Sequence, residues 1–123
     1  MPDEEETSRF IRSTFPSVWA IELMCLLRTH RAQVWTRDAL VTAMRSSELV
    51  VAQSLRSLHA AGLVVVDREN GVRFLPASES LDALAGAAEA LYAQRPDFVR
   101  RTIVSNASSP ARRFAEAFKL RKG

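Results

Sequence analysis

Gln53 and Arg56 are the side chains of this sequence whose types and spacing best fit a recognition chemistry. They lie in a segment predicted to be helical over 47–61. Projected at about 100° per residue, Gln53 falls opposite the apolar face of this helix and Arg56 falls at the edge of that outer side. A glutamine amide can pair bidentately with adenine, and an arginine guanidinium with guanine. If this helix lay in the major groove, the pair could contact base edges, whereas an ordinary solvated helix face carries the same residue types.

Further candidates lie on the same helix and on the turn before it. Val50 or Leu49 could contact a thymine methyl group. The first turn carries Glu48, Leu49 and Val50 but no lysine or arginine, so the outward apolar pair could equally contact a protein. The candidate base-contacting residues are Ser46, Ser47, Val50, Gln53, Arg56 and Ser57. The opposite face, predicted to be the core side, carries Val51, Ala52, Leu55, Leu58 and His59.

Local signals define the elements that must position these side chains. Ser17, Thr36 and Ser47 are predicted N-caps, Gly62 supplies a left-handed helix stop, and Asn70-Gly71 favours a tight hairpin turn. In order, the predicted elements are a helix over 18–29, a short β-prone stretch at 33–35, a helix from 37 to about 44, a turn at 45–47, a helix over 47–61 and a hairpin over 63–75.

This order of elements resembles the winged helix-turn-helix family over residues 17–76. The resemblance implies a mainly α fold with a small β-hairpin, and it implies binding to double-stranded DNA as a transcriptional regulator. The helix over 47–61 would then enter the major groove, and the hairpin would act as the wing, with Arg68, Asn70 and Arg73 reaching the backbone or the minor groove. Winged domains also serve as protein-interaction modules, so a protein partner in a transcription-related assembly is the alternative.

Residues 77–123 are predicted to be a helical C-terminal extension. Ser78 or Ser80 is predicted to cap a helix that runs to about Gln94, and Pro96 can begin the next. A break is expected at 106–109, followed by a helix from Pro110. The first of these helices carries a narrow apolar stripe that either pairs with a second copy of the chain or packs on the core of its own chain. The stripe, which is the candidate dimer interface, consists of Leu81, Leu84, Ala88 and Leu91.

The charge of the chain is unevenly distributed. The net charge is +3, with a pI near 9.7. Residues 95–123 hold eight basic and two acidic side chains, a net charge of +6, whereas residues 17–76 carry a net charge of +2. The basic end favours an anionic partner or is simply a solvated tail. Residues 1–16 are acidic and are expected to be partly flexible, although Phe10, Ile11 and Phe15 could dock on the domain.

Composition and motifs argue against several other classes. Hydrophobic residues make up 47% and charged residues 25%, as is typical of soluble globular proteins. With two histidines and one cysteine, the sequence shows no metal-ligand spacing, and it has no phosphate loop, so we expect no enzyme activity, no cofactor and no metal. The longest apolar run is too short to span a membrane. A single cysteine, Cys25, and an acidic N-terminus favour a cytoplasmic location.

Overall fold

A computed structural model describes residues 2–107 of the chain. This part has six helices and one two-stranded antiparallel sheet. The mainly helical class with a small hairpin is therefore confirmed. In chain order the elements are α1 (Glu4–Thr14), α2 (Val18–Thr29), α3 (Arg37–Met44), α4 (Glu48–Ala60), β1 (Val64–Val66), β2 (Val72–Phe74), α5 (Glu79–Gln94) and α6 (Pro96–Ala107).

Four helices begin at predicted serine and threonine caps. The side-chain oxygens of Ser17, Thr36, Ser47 and Ser78 accept hydrogen bonds from the backbone N–H three residues later, at 3.3, 3.1, 3.2 and 3.1 Å. Each cap satisfies a helix N–H group that has no partner within its own helix. Helix α3 ends at Arg45, whose backbone is left-handed (φ 52°, ψ 47°). This conformation turns the chain abruptly between α3 and α4.

The hairpin follows α4 with almost no linker. Gly62, with φ of 79°, reverses the chain after α4, and this confirms the predicted left-handed stop. At the hairpin turn, Asp67 Oδ1 accepts hydrogen bonds from the N–H groups of Glu69 and Gly71 at 2.9 and 2.8 Å. The stretch predicted to be β-prone at 33–35 contributes a single bridge, in which Trp35 and Val72 exchange two backbone hydrogen bonds of 2.8 Å.

Helix α2 lies at the centre of the core, as its apolar sequence predicts. Its fully buried residues pack against α4, β2, α5 and α6. They are Ala20, Ile21, Leu23, Met24 and Leu27. Cys25 is half-buried on this helix, and burial raises the pKa of its thiol to about 12. Among the described residues, no single helix is long and apolar enough to cross a membrane.

The core face of α4 differs from the prediction. Val51, Leu55 and Leu58 are buried as expected, but Ser54 is buried with them, whereas His59 is exposed and Ala52 only half-buried. The buried stripe is therefore rotated toward Ser54. The buried apolar residues of α4 fit both the predicted and the observed orientation of the helix. Ser54 distinguishes the two, but a small polar residue gives no signal for burial in the sequence. The expectation that His59 is a packed core histidine is wrong.

The N-terminal segment, expected to be partly flexible, contains the helix α1. Asp3 caps it by accepting a hydrogen bond from the Glu6 N–H at 2.8 Å. Phe10, Ile11 and Phe15 are buried, which confirms their predicted docking. Helix α1 packs on α5 and α6, so the two ends of the described chain form one helical layer instead of separate segments.

The apolar stripe of α5 packs within the same chain. Ala88 is fully buried, and Leu81, Leu84 and Leu91 are half-buried against the core. The stripe therefore packs on the core of its own chain, as in the second of the two alternatives, and its pairing with a second copy stays a prediction. Helix α6 begins at Pro96 as predicted, but it continues through residues 106 and 107, where a break was expected. The helix predicted from Pro110 lies outside the described residues.

Candidate nucleic-acid interface

Helix α4 presents a polar surface with one large apolar side chain. Gln53 and Arg56 are both exposed, and Leu49 is 65% exposed. Because the buried stripe is rotated, Arg56 lies near the middle of the solvent face and not at its edge. Val50 and Ser57 are half-buried at one edge of this solvent face, on the side away from Ala52 and His59. The face that could meet a groove is therefore carried by Leu49, Gln53 and Arg56.

Two of the three serines predicted to read bases, Ser47 and Ser57, use their hydroxyl groups in hydrogen bonds within α4. The Ser47 hydroxyl oxygen caps α4, and the Ser46 N–H donates to the Val41 carbonyl at 3.1 Å. The Ser57 hydroxyl donates to the Gln53 carbonyl at 3.3 Å, and it faces a cleft between the end of α1 and the end of α4. Ser47 is exposed and its hydroxyl hydrogen is still available as a donor. Ser46 and Ser57 are half-buried, so they are weaker candidates for contact with a ligand.

The hairpin carries its three candidate residues on exposed positions. Arg68 and Asn70 lie in the turn, where Asn70 adopts a left-handed backbone with φ of 63°. Arg73 lies on β2 opposite Val65, on the outer face of the sheet, while the neighbouring Val72 and Phe74 point into the core. The alternation fixes Arg73 outward, because a one-residue shift of register would bury its charge.

Most arginines of the described chain fall into two groups. Five that lie on or next to α1, α2, α5 and α6 form ion pairs with carboxylates, three of them far away in sequence, whereas Arg101 on α6 is exposed and forms no ion pair with a described residue. The longest-range pairs are Arg28–Glu89 at 2.7 Å, Arg31–Asp82 at 3.1 Å and Arg95–Glu4 at 2.5 Å. In contrast, five exposed arginines on α3, the following turn, α4 and the hairpin form no ion pair with any described residue. They are Arg37, Arg45, Arg56, Arg68 and Arg73.

Two of these five, Arg37 and Arg45, were not predicted as site residues. A signal for Arg37 is present in the sequence, since no acidic residue lies three or four positions away along its helix. Arg56 shares that property. Arg45 lies in the turn that the sequence predicts at 45–47, but its residue type alone does not show that its side chain forms no ion pair. The exposed His59 was missed because the orientation of α4 was predicted incorrectly.

Two depressions flank the exposed side of α4. One, of about 280 Å³, is lined by Arg37, Ala52, Leu55, Arg56, His59 and Val66. The other, of about 460 Å³, is lined by Arg37, Asp38, Val41, Glu48, Leu49, Val51 and Ala52. The first contains only basic and apolar side chains, whereas the second also contains two carboxylates. Arg37 lies between them and lines both.

Within residues 2–107, no group of three or more histidine, cysteine or acidic side chains could hold a metal ion. The two groups with shifted pKa values, Cys25 and Tyr92, lie on α2 and α5. Burial and the hydrogen bond to Glu22 raise the pKa of Tyr92. Comparison of the chain with protein-family models, curated proteins and solved structures gives no match.

Proposed function

We propose that this protein binds duplex DNA as a winged helix-turn-helix transcriptional regulator, with α4 in the major groove and the β1–β2 hairpin as the wing. The observation that carries the proposal is the group of five exposed arginines without ion pairs, all on α3, α4, the turn between them and the hairpin. Arginines already neutralised by carboxylates have less to gain from a phosphate. Unpaired ones can release condensed counterions when they contact the backbone.

The order of the elements supports the same function. Helix α4 follows α3 through a tight turn and is followed at once by the hairpin. An α-helix fits the major groove of B-form DNA, and its exposed polar side chains can then reach base edges. Gln53 is the best placed base reader on α4, and Leu49 could contact a thymine methyl group.

The first turn of α4 has no basic side chain that could contact a DNA phosphate. It carries Glu48, Leu49 and Val50. We therefore infer that affinity comes from arginines around α4 and not from its N-terminal turn. If all five arginines contact phosphates, the logarithm of the binding constant should fall with the logarithm of the salt concentration with a slope of about −4.5, at ~0.9 per contact.

A salt titration of binding to labelled duplex DNA of random sequence tests the proposal. We expect measurable binding at low salt and a steep, linear loss of affinity as salt rises. The double variant Arg68→Gln/Arg73→Gln should reduce the slope by about 2. Arg9→Gln is the matched control, since Arg9 lies on α1 and pairs only weakly with Glu5 at 3.9 Å. Absence of duplex binding at low salt would refute the regulator function.

A second candidate function is a winged-helix module for protein interaction. The observation that favours it is the groove of about 460 Å³ beside the exposed Leu49, because an exposed leucine next to a groove is a common feature of protein contacts. Leu49→Gln discriminates between the two functions. It should leave the salt slope of DNA binding unchanged, whereas a protein partner docked at this groove would lose most of its affinity.

A further inference from the structure

The smaller depression beside α4 has the composition of an anion site. It lies where the first residue of α3, the second half of α4 and the end of β1 meet. Its volume of about 280 Å³ exceeds that of several water molecules, at ~30 Å³ each in the liquid, so a phosphate group and its bridging waters can enter. Its lining consists of two arginines, one histidine and three apolar side chains.

The charges in this depression are uncompensated. Neither Arg37 nor Arg56 forms an ion pair with a described residue, and none of the described lining residues is acidic. Two like charges facing one depression repel each other, and apolar walls weaken the screening by solvent. An anion bound between them removes the repulsion. Arginine is suited to this role, because its planar guanidinium donates two parallel hydrogen bonds to phosphate oxygens.

We propose that Arg37 and Arg56 form a clamp for a phosphodiester group of the nucleic-acid backbone, with His59 lining the same depression. This inference rests on the proposed function and makes it more specific. Arg56 then anchors α4 on the backbone and does not read a guanine. Sequence discrimination is left to residues further toward the start of α4, chiefly Gln53 and Leu49. Phosphate contacts position a protein on the duplex, whereas base contacts specify the sequence.

Binding measurements on Arg37→Gln, Arg56→Gln and the double variant test the clamp. Each single substitution should reduce the salt slope by ~0.9, which corresponds to about an eight-fold loss of affinity at ~0.1 M salt relative to 1 M. The loss should be the same on a specific site and on random duplex. Arg56→Lys should retain most of the slope but bind less tightly, because lysine keeps the charge and loses the bidentate geometry. Arg9→Gln again serves as the control.

A second measurement does not depend on DNA. Inorganic phosphate is titrated into the full chain while the arginine side-chain N–H resonances are followed by NMR. We expect the resonances of Arg37 and Arg56 to move together and to saturate, and the shift of each to weaken when the other is replaced. Equal, unsaturated shifts of all exposed arginines, including Arg9, would overturn the clamp.

The two measurements separate the clamp from the proposed function. A saturable phosphate response without duplex binding would support an anion site at Arg37 and Arg56 but refute the DNA-binding function. Duplex binding in which Arg56→Gln affects only the specific site, with an unchanged salt slope, would support the DNA-binding function and overturn the clamp, because Arg56 would then read a base.

Discussion

At Arg45 the backbone conformation favours glycine, whereas the proposed DNA contact requires arginine. Arg45 has φ of 52° and ψ of 47° and ends α3, where its N–H donates to the Thr42 and Val41 carbonyls. A left-handed conformation costs an ordinary L-residue roughly 1–2 kcal/mol. Glycine avoids this cost but loses about 0.5–1 kcal/mol more backbone entropy on folding. Because the Arg45 side chain is exposed and forms no ion pair with a described residue, Arg45→Gly should stabilise the protein by about 0.5–1 kcal/mol.

Two matched variants separate the backbone effect from the charge effect. Arg45→Gln removes the charge but keeps a Cβ, so its free energy of unfolding should stay within about 0.5 kcal/mol of the wild type. Urea denaturation followed by circular dichroism measures both variants. Asn70→Gly is the positive-φ control, with a smaller expected gain, since asparagine tolerates the left-handed region. In the DNA titration, Arg45→Gly and Arg45→Gln should lose affinity equally and lower the salt slope by about 1 each.

The stability measurement and the DNA titration test the backbone and the charge of Arg45 separately. If Arg45→Gly is less stable than Arg45→Gln, the left-handed backbone carries no cost at this position and the reasoning about stability is wrong. If both variants bind duplex DNA with the wild-type slope, Arg45 does not contact a phosphate. If Arg45→Gly raises the free energy of unfolding and weakens DNA binding, Arg45 is a residue whose backbone strain is kept because its side chain is needed for function.

Three further predictions concern α1, α5 and the thiol of α2. Ile11→Ala should lower the free energy of unfolding by about 2–4 kcal/mol because Ile11 is 1% exposed, while Glu5→Ala on the exposed side of α1 should change it little; equal effects in urea denaturation would show that α1 is not docked. The double variant Leu84→Glu/Leu91→Glu should lose its folded circular dichroism spectrum, because it introduces charge against the core. If the variant instead stays folded and sediments as a monomer while the wild type is a dimer, the stripe is a dimer interface. Burial raises the pKa of the Cys25 thiol from 9.0 to about 12, so the thiol ionises at lower pH in the unfolded chain than in the folded one. The free energy of unfolding should therefore fall from pH 9 toward pH 12. Cys25→Ala should show a smaller fall in denaturation experiments, and an equal fall in both proteins would contradict this cause.

The helix boundaries could be predicted from the sequence because their determinants are local. A cap such as Ser17 or Thr36 needs only its own hydroxyl and a backbone N–H three residues later. The hairpin was likewise predicted at Asn70-Gly71, and Asn70 has a left-handed backbone, but the loop spans 67–71 and Asp67 accepts hydrogen bonds from two of its N–H groups. The core character of α2 followed from an apolar sequence on nearly all sides. These signals predict the elements and their order, but they do not predict how the elements pack together.

The arrangement of the elements could not be predicted to the same extent. Helix α1 is marginal in isolation at 11 residues, and its stability depends on packing against α5 and α6, which are distant in the sequence. The rotation of α4 was missed for a related reason. Ser54 is buried because of what surrounds it, and its own type gives no hint of this. The exposure of His59 and the central position of Arg56 both follow from that rotation.

The candidate site depends most on information that the sequence does not display, namely which charges are already neutralised. Residues 17–76 carry a net charge of only +2, a value too small to indicate an anionic partner. The partners of Arg28 and Arg31 lie 61 and 51 residues away on α5, so these ion pairs become visible only in the fold. Asp67 accepts two backbone N–H groups at the hairpin turn, and a carboxylate held in this way is positioned for the turn and not for an arginine. The fold therefore separates arginines that are neutralised by distant carboxylates from five unpaired arginines around α4 and the hairpin, and the second group is the basis of the proposed contact with duplex DNA.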